Sequence, residues 1–280
     1  MKEETGYFSS TDGTKIFYRA WNKNTEQCII IVHGIGEHSG RYRDFAEKLD
    51  DLPISVFSLD LRGHGHSEGR RVHVNSFQDF INDVYAYRKW IEDRYGKRQF
   101  ILLGQSLGGL ISVSVILKNQ SMWSSLILMS PFFAVPKGQK LLTLLSLGLN
   151  CFIPNMIWNN PVRPFYLSHD PVEVRKYQED PLIQRAITGR LACEMFRSCS
   201  FVYNQAKEIH LPVLILASGD DRIVSLKATK AFHHRIASQV KQMKVFEFSY
   251  HELLHEKEQA EAIHIIRGFL THQHITNTYH

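Results

Sequence analysis

The pentapeptide Gly104-Gln105-Ser106-Leu107-Gly108 constrains this chain more than any other stretch. It stands between a short apolar run, residues 100–103, and an apolar helical stretch over 107–118. G-x-S-x-G between a strand and a helix is the pattern of a strained turn that presents a serine at the end of a sheet. Small residues two positions to either side of the serine let the backbone turn sharply without clash. The helix beyond offers backbone N–H groups and its positive dipole end to a developing oxyanion. Ser106 is therefore the candidate nucleophile, and the strand before it is expected in a parallel sheet.

The rest of the chain keeps the same rhythm. Residues 15–20 alternate in polarity, and 28–32, 54–59, 126–129 and 213–217 are short apolar runs. Phe80, Val84, Tyr87 and Ile91 recur at three- and four-residue steps, which predicts a helix over 77–95. Further helices are expected from Leu226 and over 257–270, with a last strand at 244–248. Strands that alternate with helices predict an α/β fold, a mostly parallel central sheet flanked by helices.

The rhythm breaks between Phe132 and Ser200. Strand signals are sparse there, and prolines at 136, 154, 161, 164, 171 and 181 separate helical pieces. This predicts an inserted helical cap over 132–200, with the α/β core formed by 1–131 and 201–280. The apolar stretch 141–158 is interrupted by Gly148, Asn150 and Pro154, so it does not read as a membrane-spanning helix. Two readings of it stand together: a helix buried against the core, and an apolar lid that admits a lipid chain and touches a membrane.

A chain of 280 residues is long enough to bury a substantial core. Its formal charge of +5 is dispersed, without a long Lys/Arg run, so no nucleic-acid partner is expected. Cys28, Cys151, Cys193 and Cys199 form no C-x-x-C pair and read as reduced, mostly buried thiols in a cytosolic setting. The opening MKEETGYFSS has no apolar core of a secretory signal.

A serine nucleophile needs a base, and the base needs an orienting acid. With this kind of turn the chain order is serine, then Asp or Glu, then His, each just beyond a strand. The run 213–217 leads into Ser218-Gly219-Asp220-Asp221, and the run ending at Phe248 leads into Ser249-Tyr250-His251. His251 also opens HELLH, a formal match to the zinc-binding H-E-x-x-H. That motif needs a helix to bring both histidines to one face, whereas His251 follows an expected strand. The extended form fails as well, with Glu258 at its glycine position and Glu261 at its third histidine. His251 is the expected base and His255 the alternative, and no metal is expected. Gly34-x-Gly36 lacks the third glycine of a dinucleotide fingerprint, so no nicotinamide cofactor is expected either.

With these residues in view, the chain resembles the monoacylglycerol lipase and lysophospholipase group of the α/β-hydrolase superfamily. The resemblance covers nearly the whole chain and is weakest in the cap. Its motifs are His33-Gly34-Ile35-Gly36-Glu37-His38-Ser39-Gly40-Arg41-Tyr42, then Asp60-Leu61-Arg62-Gly63-His64-Gly65-His66-Ser67-Glu68-Gly69, the serine turn, Asp221-Arg222-Ile223-Val224, and Tyr250-His251. It implies Ser106 as nucleophile, Asp221 as acid and His251 as base. It implies the backbone N–H groups of Ile35 and Leu107 as an oxyanion hole, and Glu37, Arg41, Tyr42 and His255 as contacts for the polar head of a substrate. Gln105 stands where the group often has His, and the spacing from His251 to His255 is one residue longer than in some animal members. His64 and His66 read as structural. The activity implied is cofactor-free serine ester hydrolysis of a small lipid monoester, monoacylglycerol first, with lysophospholipid or a general carboxylic ester as the alternative. A catalytically silent lipid-binding protein is the contrasting class. The implied setting is cytoplasmic, with peripheral membrane contact through the cap.

Overall fold

The computed structural model describes residues 2–136, 156–159 and 162–277. Ten strands are placed among them. Eight form one sheet: β1 (Glu4–Ser9), β2 (Lys15–Trp21), β3 (Gln27–Val32), β4 (Ile54–Leu59), β5 (Gln99–Gln105), β6 (Ser125–Met129), β9 (Val213–Ser218) and β10 (Lys241–Phe246). Their order is β1-β2-β4-β3-β5-β6-β9-β10, and only the β1/β2 and β2/β4 pairings are antiparallel. The remaining two, β7 (Ile157–Asn159) and β8 (Ala186–Thr188), make a separate antiparallel ribbon.

Burial on both faces explains why the central strands read as unbroken apolar runs. Alternate residues of β3 point to opposite sides: Ile30 and Val32 join one cluster with Leu102, Leu126 and Leu128, while Ile29 and Ile31 join another with Ile101, Leu103 and Ile127. The first cluster is covered by α2 (Phe77–Tyr95), α3 (Leu107–Lys118) and α5 (Gly189–Gln205). The second is covered by α1 (Arg43–Glu47) and α7 (Gln259–Asn277). Two shorter helices, α4 (Pro171–Glu179) and α6 (Leu226–Arg235), complete the described set.

Local chemistry sets the helix ends. The Ser76 hydroxyl and Asp79 carboxylate form a reciprocal capping box at the start of α2, and Gly96 closes it at φ 83°. Phe80, Val84, Tyr87 and Ile91, the periodic residues of the sequence, form its buried face. The last strand differs from expectation. It covers 241–246 rather than 244–248, because its pairing with β9 ends at Phe246 and the Ser249 N–H turns back to the Phe246 carbonyl. Phe248, whose apolarity extended the sequence pattern, is 84% exposed. Likewise α7 begins at Gln259 and runs on to Asn277.

The segment between β6 and β9 departs from the sheet and returns to the neighbouring parallel position. Its last helix, α5, inserts Leu191, Met195, Cys199 and Val202 into the core cluster. A smaller cluster of Leu167, Tyr177 and Ile183 packs with Val162 and with Ile223 from beyond β9. Of the apolar stretch 141–158, only 156–158 fall within the described residues. No helix among the described residues is long and apolar enough to cross a membrane.

Candidate active site

The carboxyl ends of β3, β5, β9 and β10 converge, as ligand sites do in open parallel sheets where the strand order reverses. Ser106 sits between β5 and α3 at φ 51°, ψ −115°. Positive φ is rare for a residue with a Cβ and marks strain. The flanking glycines are sterically required. A Cβ on Gly104 would lie 2.4 Å from the Gly108 carbonyl oxygen, and one on Gly108 would lie 1.9 Å from that of Val32. The Ser106 N–H is held by the Met129 carbonyl at 3.0 Å, and its own carbonyl accepts from Phe132 at 2.9 Å.

The two adjacent aspartates diverge. The Asp221 side chain is buried, 1% exposed; its Oδ1 accepts the N–H groups of Ile223 and Val224 at 2.8 and 2.9 Å. Its Oδ2 lies 2.8 Å from Nδ1 of His251. Asp220 instead pairs with Arg222 at the surface. Burial opposes a charged His251, but the Asp221 carboxylate and its hydrogen bond outweigh it, so the imidazole pKa is raised above its ordinary value. The HELLH segment is not an α-helix: His251 lies in a bend and 253–255 form a single 3-10 turn. The second histidine faces a carboxylate of its own, with His255 Nδ1 3.3 Å from Glu252 Oε2.

Ser106, His251 and Ile35 line one cleft together with Glu37, Glu252 and Leu167. The loop carrying Ile35 abuts Ser106, since a Cβ on Gly34 would come 3.2 Å from that of Ser106. Leu107 is the first residue of α3, where N–H groups have no partner within the helix. Glu37 braces this loop. Its Oε1 accepts the Gly34 N–H at 2.5 Å and the Tyr42 hydroxyl at 3.0 Å. Arg41 joins the two buried carboxylates. Its Nε is 3.2 Å from Glu37 Oε2 as an ion pair off the hydrogen-bond line, and Nη2 donates to Glu252. Burial drives the Glu37 carboxyl upward, reinforced by Glu252, whereas Arg41 overcomes burial to hold Glu252 below the usual carboxylate range. Arg41 also lies over the ring of Tyr177, 5.1 Å from its centroid.

A family model described as serine aminopeptidase, S33, matches residues 23–258. The chain belongs to the serine aminopeptidase S33 family. Among its relatives, monoglyceride lipase of Mus musculus is 32% identical over 97% of this chain and 91% of its own length. Phospholipase YtpA of Bacillus subtilis is 29% identical over 88% of this chain and 95% of its own length. The crystal structure of Paleococcus ferrophilus monoacylglycerol lipase superposes with a TM-score of 0.83 at 26% identity, covering 98% of this chain and all of that one. The fold is that of the α/β-hydrolases.

In this S33-family chain, the structure brings Ser106, Asp221, His251 and Ile35 to one place, with Leu107 at the adjoining helix start. Glu37, Arg41, Tyr42 and His255 come together beside them, but the polar contacts described for them are largely with one another. His64 is buried with Nδ1 against the Arg62 carbonyl, and burial holds its pKa down at about 3. His66 is held by its N–H to Asp60 and packs on Phe17. Three cleft residues belong to no motif of the sequence: Val162, Leu167 and Tyr177. Glu252 lies inside HELLH, and Gln105 inside the serine turn, its amide donating to the His251 carbonyl at 3.3 Å.

Proposed function

We propose that this protein is a serine hydrolase of lipid monoesters, acting on monoacylglycerols to release glycerol and a fatty acid. The observation that carries the reading is the Asp221–His251 pair facing the cleft that holds a serine on a strained turn. In this mechanism His251 takes the Ser106 proton as Oγ attacks the acyl carbonyl. The N–H groups of Ile35 and Leu107 receive the oxyanion, each contributing about 3 kcal/mol to the transition state. His251 then protonates the departing glycerol oxygen. Water attacks the acyl-enzyme with the same histidine as base, and the fatty acid leaves. The residues present complete this cycle without a metal or organic cofactor.

Polar and apolar walls support a monoester. Leu167, Val162 and Ile223 suit an acyl chain, with up to about 0.8 kcal/mol of binding per buried methylene. The cluster of Glu37, Arg41, Tyr42 and His255 suits a small hydroxylated head. The family name raises an aminopeptidase as the second reading, since two buried carboxylates beside the serine are what a substrate ammonium requires. Arg41 already occupies both, which favours the neutral ester. The segment 132–200 is read as the cap over this cleft, and peripheral contact with a membrane belongs to the same reading. The test is kcat/KM at matched acyl length for a monoacylglycerol, a lysophospholipid and a triacylglycerol, with an aminoacyl anilide alongside. Monoacylglycerol is expected first and triacylglycerol last, because two more chains meet the polar wall. A lysophospholipid preference moves that class into first place, and anilide cleavage in preference to the esters overturns the ester reading.

A further inference from the structure

Residues 250–256, which carry His251, are closed on themselves and stitched to the neighbouring strip 166–169. Glu256 Oε1 accepts the Tyr250 N–H at 2.7 Å and lies 2.8 Å from His169 Nδ1. The Glu256 side chain is 1% exposed. The ring of His169 stacks on that of Tyr250, with centroids 3.6 Å apart. Residues beside His169 continue the seam. The carbonyls of Tyr166 and Leu167 accept the N–H groups of His251 and Glu252 at 3.4 and 2.9 Å, and the Ser168 hydroxyl donates to the His255 carbonyl. Arg222, next to Asp221, lies over both Tyr166 and Tyr250, 5.3 and 5.1 Å from their centroids.

We propose that Glu256 is the positioning residue of His251, fastening the loop of the base to the adjacent strip 166–169. This rests on His251 being the base of the proposed reaction. One carboxylate oxygen holds both the residue before the base and the strip that pairs with the base's own N–H. Without it the Tyr250 N–H loses this partner, and the seam loses the tie from the Glu256 side chain to His169. The imidazole is then free to drift from Ser106, and displacements near 1 Å are enough to cost roughly a hundredfold in rate. Glu256 also precedes α7, with the Lys257 N–H 3.4 Å from its Oε2, so a role confined to starting that helix is the alternative.

Hydrolysis of a soluble p-nitrophenyl ester, expressed per mole of folded protein, separates the two. Glu256→Ala and His169→Phe are expected to lower kcat about tenfold to a hundredfold while KM stays within about twofold. His169→Phe keeps the stack on Tyr250 and removes only the bond to Glu256. Glu256→Gln, whose amide oxygen still accepts both bonds, is expected to stay within about threefold of wild type. Should Glu256→Ala fail to fold, the Phe and Gln variants carry the comparison. A wild-type kcat in His169→Phe, or equal losses in the Gln and Ala variants, overturns the proposal. His251→Ala is the control: activity retained there overturns the assignment of the base, and this proposal with it.

Discussion

Asp220 and Asp221 are neighbours in the chain with opposite fates. The first points to water and pairs with Arg222; the second is buried and faces His251. Asp221→Asn is therefore expected to cut kcat by on the order of 10³ to 10⁴, while Asp220→Asn stays near wild type. The pH profile gives the sign. As the proposed base, His251 would act only when neutral, and its pKa is raised by Asp221 against the effect of burial. The acid limb of kcat/KM in wild type should lie above the ordinary imidazole value of about 6.5, and in Asp221→Asn it should move to lower pH. A limb that stays in place on losing the carboxylate contradicts the pairing. The choice between the two aspartates was open to sequence spacing alone, because both stand beyond the same strand; only the family pattern pointed to the second. The burial of Glu252 and Glu256 was not legible at all, since a run of glutamates and histidines reads as solvated charge until the fold folds it inward.

At the scale of elements, strands and helices were legible where periodicity was strong. The expected bounds of α2 and α3 coincide with those observed, because one presents an amphipathic face with a capping box and the other is apolar throughout. The failures have physical causes. β10 was displaced toward Phe248 because an exposed aromatic mimics a strand residue, and β1 left no clear signal because its more buried face carries Glu4 and Gly6 before Phe8 while the apolar Tyr7 is exposed. A tight crossing supplies the prediction at this scale. Gly108 packs α3 onto the end of β3, leaving no room for a methyl beside the Val32 carbonyl. Gly108→Ala should destabilise the fold by about 3 kcal/mol or more, seen as a fall in the urea midpoint. A loss below about 0.5 kcal/mol shows that the helix can slide away from the strand.

Across the whole molecule, the sheet brings loops from residues 33–42, 104–108, 218–224 and 249–256 together at its carboxyl end, so the proposed reaction depends on contacts far apart in sequence. Stability there is a shared property, and Ser106 draws on it. The side chain is held at a backbone geometry that glycine adopts without penalty and serine does not. Ser106→Gly is expected to melt about 2 °C above wild type, with no turnover at all. A melting point at or below wild type means the turn carries no strain. If the rise is observed, selection for durability alone would discard this serine, and the demand for the proposed chemistry is what would keep this chain from a longer-lived, idle form.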